Sequence, residues 1–393
     1  MSRTSVLGAV CASNGTFGAT ARRIAGQQQL QQQFRSFTST LQRNVHITQF
    51  TPTSSPALDS LLDRIRTKII LPAYLPETQR KKIYSPKWKK KLQADPIIIE
   101  IDGEVHKFRY QNLMTDVPST RKSLIAAVSQ FETAADFANL NPLLDGLHYA
   151  GRKLELSTYA GLVRRAGIKG YIYDIIDCAR SARRTGLKLD TSEKVNMVLH
   201  FVQLKARDAD WDEDATKQAL RWAEMVVDML QEETHQPTRS KDNPPLPGEL
   251  PLYRDPMVLA APLHLAAVLV AQHGAGEKIL EKVNKLARDI LITWPEGTKL
   301  KEVQPADLYR DHDKMGFLCS PSKFLAIASP LLHGLETAVK VAEPELAAQL
   351  QTRRDTLAAE VKEARESLPE GDFRGEFVYK KFFEAEAEEG TQL

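Results

Sequence analysis

Residues 157–190 read STYAGLVRRAGIKGYIYDIIDCARSARRTGLKLD. Ser157 can cap a helix that runs through Ala166, and the glycines at 167 and 170 end it. A second apolar face follows at helical spacing, formed by Ile172, Ile175, Ile176 and Ala179. It stops near Gly186. Two short helices joined by a tight turn make an antiparallel helical hairpin, so this stretch predicts an all-α architecture.

Similar helices lie on both sides of this stretch. Helix starts are predicted near residues 120, 157 and 191, with caps at Ser119 and Thr191. A spacing of about 35 residues is typical of helix–turn–helix repeats. The sequence therefore predicts a helical-repeat array over residues 113–236. Six prolines in residues 237–256 then predict a linker or a long surface loop.

Residues 257–368 predict a second helical region. Its first segment, Met257–Ala271, is apolar but shorter than the ~20 residues that span a bilayer. We therefore expect a buried helix there and no transmembrane segment. An amphipathic helix after Gly276 and two more, Pro321–Ala342 and Pro344–Leu368, complete the region. Residues 369–393 form an acidic tail that we expect to be flexible.

The strand signal is confined to residues 96–112. An isoleucine-rich run is separated by Asp102-Gly103 from an alternating run that ends near Tyr110. Asp-Gly between two such runs is a strong signal for a two-residue hairpin turn. An isolated hairpin is marginal in water, so we expect it to dock on the helices or on a partner.

The N-terminus has the composition of a mitochondrial presequence. No acidic residue precedes Asp59, whereas arginine, serine and threonine are frequent. Such a segment can form a cationic amphipathic helix that the membrane potential draws into the matrix. The order Arg35-Ser36-Phe37 resembles a matrix-peptidase site, which predicts removal of residues 1–37 by a cut after Phe37. The alternative is an ordinary disordered basic terminus.

Basic residues are concentrated in one part of the predicted mature segment 38–95. Residues 64–91 contain ten Lys or Arg and one acid, Glu77. Prolines at 72, 76 and 86 predict an extended conformation, and aromatic residues interleave the charge. Ammonium groups can neutralise RNA phosphates while aromatic faces stack on bases. The candidate RNA-binding residues are Arg80, Lys81, Lys82, Lys87, Trp88, Lys89, Lys90 and Lys91.

The charge of the rest of the chain makes this concentration informative. The whole sequence has 53 basic and 50 acidic residues, and loss of residues 1–37 leaves 49 and 50. Residues 64–91 carry a net charge of +9, so the remainder of the mature chain is at −10. This contrast favours RNA binding over the alternative, a solvated basic linker.

Residues 157–190 also resemble one pentatricopeptide-type repeat. The family pattern begins with a T-Y-x-x-L helix, has a central Ala-Gly and ends with G-[IL]-K-P-D. The matching residues are Thr158, Tyr159, Leu162, Ala166, Gly167, Gly186, Lys188 and Asp190. The resemblance implies an array of pentatricopeptide- or tetratricopeptide-like hairpins, here with one β-hairpin and an extended basic N-terminal segment. It also implies base-reading positions at Ala160 and Asp190, but alanine offers no hydrogen-bonding group to a base.

Sequence patterns typical of enzymes are absent. The chain has no phosphate-binding glycine loop, zinc-protease motif or nucleophile elbow. Its three cysteines are far apart and form no CxxC pair. We therefore expect no catalytic residues, no metal, no cofactor and no small-molecule substrate.

Taken together, the chain resembles an organelle-specific mitochondrial ribosomal protein. The resemblance implies a matrix location and a helical scaffold, with rRNA and other mitochondrial ribosomal proteins as partners, and favours the small subunit. Two other functions fit less of the sequence. One is a free RNA-processing or translation factor, which needs several base-reading repeats. The other is a respiratory-complex assembly factor or enzyme, which needs a defined pocket or cofactor.

Overall fold

A computed structural model describes residues 47–101, 103–237, 244–311 and 314–384. The predicted presequence lies outside these residues. Within them the chain is mostly α-helical, with one two-stranded antiparallel sheet. The prediction of an all-α fold with one small β-hairpin is confirmed.

The described helices are short in the N-terminal half and long in the C-terminal half. The N-terminal helices are α1 (Pro56–Ile65), α2 (Glu77–Ile83), α3 (Lys89–Ala94), α4 (Thr120–Gln130), α5 (Ala134–Phe137), α6 (Leu140–Tyr149), α7 (Leu156–Ile168), α8 (Ile172–Arg180) and α9 (Ala182–Thr185). The remainder are α10 (Ser192–Asp208), α11 (Glu213–Met229), α12 (Pro256–His273), α13 (Glu277–Thr293), α14 (Ala306–Arg310), α15 (Pro321–Val341), α16 (Pro344–Glu366) and α17 (Arg374–Phe383).

Local caps account for many of these boundaries. The hydroxyl of Ser119 accepts a hydrogen bond at the start of α4, and Thr191 and Asp212 cap α10 and α11 in the same way. The predicted helical hairpin is present as α7 packed against α8. Helices α10 and α11 form the next antiparallel pair.

Two glycines of the repeat-like motif have a packing reason. Gly186 ends α9 with φ +72°, and a Cβ there would lie 2.6 Å from the ring of His148. Gly167 faces the ring of Phe201 with no room for a Cβ. Larger residues are therefore excluded at both positions.

One continuous core joins α1 to α17, from Leu58 to Phe382. Helices α12 and α15 lie at its centre and are long and apolar enough to cross a membrane by length and composition. However, 78% of the most apolar 18-residue stretch of α12 and 61% of that of α15 is buried inside the protein. The prediction that residues 257–271 form a buried helix is confirmed.

The segment predicted to be extended is helical instead. Ser55 caps α1, and a π-helical turn (Arg66–Ile70), a 3-10 turn (Leu71–Tyr74), α2, a second 3-10 turn (Pro86–Trp88) and α3 follow. The prolines do break the helix, but Pro56, Pro72 and Pro86 occupy first-turn positions, where their missing N–H costs nothing. Each short helix buries an apolar side, and this burial outweighs the extended preference.

The acidic tail was also expected to be flexible, yet its first part is ordered. Helix α17 packs against α15, and Phe382 is buried against His264, His333 and Trp211. The aromatic side chains of this segment provide apolar surface that is buried against the helical body. Residues 385–393 lie outside the described part of the chain.

Candidate nucleic-acid interface

The β-hairpin and the basic segment form a small structural unit with its own core. Strand β1 (Ile97–Ile101) pairs with β2 (Glu104–Phe108) across a two-residue turn in which Gly103 has φ +80°. One face of the hairpin packs on α2 and α3. The buried residues are Ile47, Leu71, Leu75, Ile83, Leu92 and Phe108. The backbone N–H of Gln111 donates a hydrogen bond to the carbonyl oxygen of Ile83 at 2.9 Å, which links the end of the hairpin to α2. We call this unit the basic platform.

The candidate RNA-binding residues lie on the surface of the basic platform. Lys81, Lys87, Lys89, Lys90 and Lys91 are exposed, while Arg80, Lys82 and Trp88 are half-buried. Because Leu92 is buried in the platform core and its lysine neighbours are not, α3 presents a row of ammonium groups to solvent. The structure thus brings the predicted residues together on short helices.

The ring of Trp88 lies close to the ammonium groups of two of these lysines. The ammonium nitrogen of Lys82 lies 4.9 Å from the ring centroid, and that of Lys91 lies 5.4 Å from it. Lys89 is similarly placed at 5.7 Å from the ring of Tyr110. Cations over aromatic faces are attracted by the ring quadrupole, so Trp88 holds positive charge in place as well as offering a surface for stacking.

Few of the cations are neutralised within the described chain. Of the ten basic residues in 64–91, two have a carboxylate partner among the described residues: Arg66 with Glu104 at 2.8 Å and Lys81 with Glu77 at 2.6 Å. The second pair is exposed, and such pairs contribute little to stability. The platform therefore keeps most of its charge available to an external anion.

A polar anchor fixes the chain before the platform to the helical body. The buried carboxylate of Asp136 accepts hydrogen bonds from the amide and hydroxyl of Ser54, both at 2.8 Å, and from the amides of Glu132 and Thr133. Burial favours a higher pKa, but these hydrogen bonds outweigh it and hold the pKa of Asp136 well below its usual range. Nearby, Asn139 bonds to the backbone and hydroxyl of Thr51.

The repeat-like hairpin has a different geometry from a base-reading surface. The hydroxyl of Tyr159 donates to the carbonyl oxygen of Gly186 at 2.8 Å, which ties the start of the motif to its end. Asp190 accepts from Lys194 at 2.6 Å, and Ala160 is half-buried. The carboxylate at the second base-reading position is thus already engaged, and the repeat type itself stays a prediction.

Comparison with known proteins shows the family. A family model described as "Mitochondrial ribosomal protein mS27" matches residues 35–387. The chain is 34% identical over 365 residues to "Small ribosomal subunit protein mS27" of Neurospora crassa, covering 89% of this chain and 92% of that protein. The chain belongs to the mitochondrial ribosomal protein mS27 family. The resemblance to a mitochondrial ribosomal protein is confirmed, and the preference for the small subunit agrees with the name of the relative.

The mS27 match covers the basic platform and the helical body together. It begins at residue 35, close to the predicted cut after Phe37, although the cut itself stays a prediction. A ribosomal protein family agrees with a structural rather than catalytic chain. Among the described residues, no group of three His, Cys, Asp or Glu side chains is arranged to hold a metal ion.

Sequence reasoning missed one basic residue near the platform. Burial raises the pKa of Tyr84, and the positive charges of Arg152 and Arg80 oppose that rise. Arg152, in the loop after α6, therefore lies beside the basic platform, and its Nε has no partner among the described residues. The available signal was the adjacent pair Arg152-Lys153, but nothing local in sequence connects it to residue 84.

Proposed function

We propose that the chain is a structural component of the small subunit of the mitochondrial ribosome, located in the matrix, that binds rRNA through the basic platform. The helical body meets neighbouring ribosomal proteins. Family membership supports the ribosomal assignment. The observation that carries the RNA contact is the set of exposed lysines that have no carboxylate partner in the described chain and stand on a folded support.

The folded support makes the lysines better suited to RNA than a flexible linker. A disordered basic segment loses conformational entropy when it binds, whereas the buried side chains of the platform order α2, α3 and the hairpin beforehand. Each phosphate that a lysine neutralises releases condensed counterions, which makes the affinity depend on salt. Arg152 adds a partly buried cation beside residues 64–91.

The test replaces Lys87, Lys89, Lys90 and Lys91 by Gln together. The matched control replaces four exposed lysines of the body that have no carboxylate partner among the described residues: Lys278, Lys285, Lys340 and Lys362. For single-stranded rRNA fragments, loss of four contacts should reduce the slope of log affinity against log salt by about 3. Sedimentation with mitochondrial small subunits should weaken at high salt for the platform variant and not for the control.

Equal sedimentation of the two variants at every salt concentration would contradict the proposal, and the helical body would then be the attachment surface. Trp88→Ala gives an independent readout. Loss of stacking should weaken binding to single-stranded RNA with no direct counterion contribution. Trp88→Phe keeps an aromatic face and should retain most of the affinity.

A further inference from the structure

The two faces of the β-hairpin in the basic platform differ in burial. Ile97 and Ile99 of β1 are half-buried and pack against the platform core. The side chains on the opposite face are all exposed, namely those of Ile98, Glu100, Val105 and Lys107. Ile98 is 57% exposed and Val105 is 59% exposed. The outer face of the hairpin therefore presents β-branched apolar side chains, which usually pack against a neighbour in a sheet.

The outer edge of β1 is unpaired within the described chain. The turn has two residues, so Ile101 and Glu104 on either side of it form a hydrogen-bonded pair. Bonded and non-bonded pairs alternate along the ladder, so Ile98 and Glu100 direct their backbone N–H and C=O groups away from β2. No hydrogen bond joins these four groups to another described residue. They can therefore accept a further strand.

The two edges of the hairpin are not equivalent. On β2 the outward backbone groups belong to Val105 and Lys107. Lysine on an edge strand hinders pairing with another strand. The sequence of β1 contains no basic residue and one acid, Glu100, which forms no salt bridge with a described residue. The edge of β1 is therefore the better site for strand addition.

This edge suits a peptide better than an RNA strand. Backbone C=O groups have no hydrogen to donate to phosphate oxygens, and the carboxylate of Glu100 repels phosphates. An extended peptide offers both donors and acceptors, so it can pair with the N–H and C=O groups of β1 alike. The apolar side chain of Ile98 adds a surface that a peptide side chain can cover.

Glu100 determines the charge expected of such a peptide. Neighbouring strands lie about 4.8 Å apart, so a residue on an added strand would stand directly beside this carboxylate. Lys107 would be one strand further away, at about 10 Å, which exceeds the Debye length of about 8 Å at physiological salt. A Lys or Arg beside Glu100 and an apolar residue beside Ile98 would therefore complement the edge.

A second copy of this chain does not complement the edge. Antiparallel pairing of two β1 strands around Ile99 would place each Glu100 opposite an Ile98, which leaves both carboxylates without a cation. It would also bring together two segments 64–91, each with a net charge of +9. The charge pattern therefore favours a different protein.

We propose that an extended segment of a neighbouring small-subunit protein adds a third strand to the hairpin at the outer edge of β1, with an apolar residue beside Ile98 and Lys or Arg beside Glu100. This inference rests on the proposed ribosomal function. It assigns the exposed lysines of the basic platform to rRNA and the edge of β1 to protein. Backbone hydrogen bonds supply the affinity in strand addition, and alternate side chains supply the selectivity.

Hydrogen exchange of the full chain, free and within purified mitochondrial small subunits, tests the added strand. The backbone N–H groups of Ile98 and Glu100 should exchange fast in the free chain and at least about tenfold more slowly in the subunit. Slow exchange in the free chain would show that the chain itself covers the edge. Fast exchange in the subunit would show that no strand pairs with it. Either result would overturn the proposal.

Cross-linking within the subunit identifies what lies on the edge. A photoreactive diazirine amino acid replaces Ile98 in one variant and Lys107 in another. The first should cross-link to a segment of another small-subunit protein that contains Lys or Arg, and the second provides the comparison from the β2 edge. A cross-link from position 98 to rRNA, or to a second copy of this chain, would overturn the proposal.

Proline at one edge or the other provides a matched pair of variants. Ile98→Pro removes an outward N–H, and Val105→Pro does the same on β2; proline is tolerated where the N–H of an edge strand faces solvent. Retention on small subunits should fall about fivefold for Ile98→Pro and stay near that of the wild type for Val105→Pro. Slow exchange at the N–H of Ile99, which bonds within the hairpin, checks that each variant keeps the ladder.

Glu100→Lys tests the charge without changing the backbone. Retention should fall about threefold at low salt and recover as salt screens the repulsion, whereas replacement of the platform lysines should weaken attachment most at high salt. Equal retention of wild type, Ile98→Pro and Glu100→Lys would overturn the added strand while leaving the ribosomal function intact. A wild-type chain that does not sediment with small subunits would overturn the proposed function and this inference together.

Discussion

The basic platform and the helical body use charged residues in opposite ways. In the body, ion pairs join separate elements. Lys282 of α13 pairs with Glu224 of α11, and Arg365 of α16 forms a two-fold contact with Glu376 of α17. In the platform, most cations have aromatic neighbours or solvent around them and no carboxylate. Ion pairs of the body thus join its helices, whereas most of the charge in the platform remains available to an external partner.

The two regions also differ in the size of their hydrophobic cores. The main core extends from α1 to α17, while the platform core has six buried apolar residues. Small cores provide little stability by themselves, so the platform depends on its connections to the body. Two of those connections are the Asp136 anchor and a stack of Tyr74 on Tyr149 with ring centroids 4.4 Å apart.

The largest expected effect is in the main core. Phe324 of α15 is completely buried, and Phe324→Ala should lower the free energy of unfolding by about 3–5 kcal/mol because it removes apolar contact and leaves a cavity. Urea unfolding followed by circular dichroism measures the change. Phe373→Ala, at a mostly exposed phenylalanine, should change stability by less than about 1 kcal/mol. Equal losses in the two variants would show that the main core is placed wrongly.

A smaller and more local effect is expected in the platform core. Leu92→Ala should cost about 2–4 kcal/mol, and the loss should be confined to the platform. Hydrogen exchange should then accelerate at the amide of Gln111, which bonds to Ile83, and stay slow in α15. Leu113→Ala, at a half-exposed leucine outside this core, is the control. Uniform acceleration through α15 would mean that the two regions unfold as one.

Asp136→Asn tests the connection between the regions. The amide can accept at one oxygen only, so buried donors of residues 54, 132 and 133 lose partners at a cost of about 1–3 kcal/mol. The folded pKa of Asp136 lies below its unfolded value near 3.8, so its stabilisation is present above that pH and is lost as the pH falls further. The wild type and the variant should therefore differ at pH 7, and the difference should begin to shrink once the pH falls below about 4. A constant difference at all pH values would exclude the carboxylate as the cause.

The smallest effect on stability is expected for the platform lysines. Replacing Lys87, Lys89, Lys90 and Lys91 by Gln should change the free energy of unfolding by less than about 0.5 kcal/mol, since exposed surface residues contribute little to it. The same variant should show the largest change in RNA binding. A marked loss of stability would show that these lysines serve the fold, and the contrast between platform and body would then fail.

Much of the body was predictable because its signals are local. The caps at Ser119, Thr191 and Asp212 and the 3.6-residue spacing of α13 each lie within one turn or one helix. The hairpin was predictable for the same reason, since Asp102-Gly103 sits between two apolar runs. The candidate lysines stand out because ten basic residues fall within 28 positions.

The rest depended on contacts between distant residues. The prolines of residues 72–86 predict breaks, but whether the pieces between them are helical depends on partners such as Phe108 and Tyr149. Similarly, α17 lies within the segment predicted as an acidic tail and is helical because it packs against α15.

The Asp136 anchor can form only late in the synthesis of the N-terminal half of the chain. Ser54 leaves the ribosome that synthesises the protein 82 residues before its partner. At about 5–20 residues per second this interval is roughly 4–16 s. During the later part of this interval, the lysine-rich helices have been made but cannot be fastened to the body through this anchor. The segment with the greatest attraction for other polyanions is therefore made before its support is available, and a partner that shields it early would aid folding.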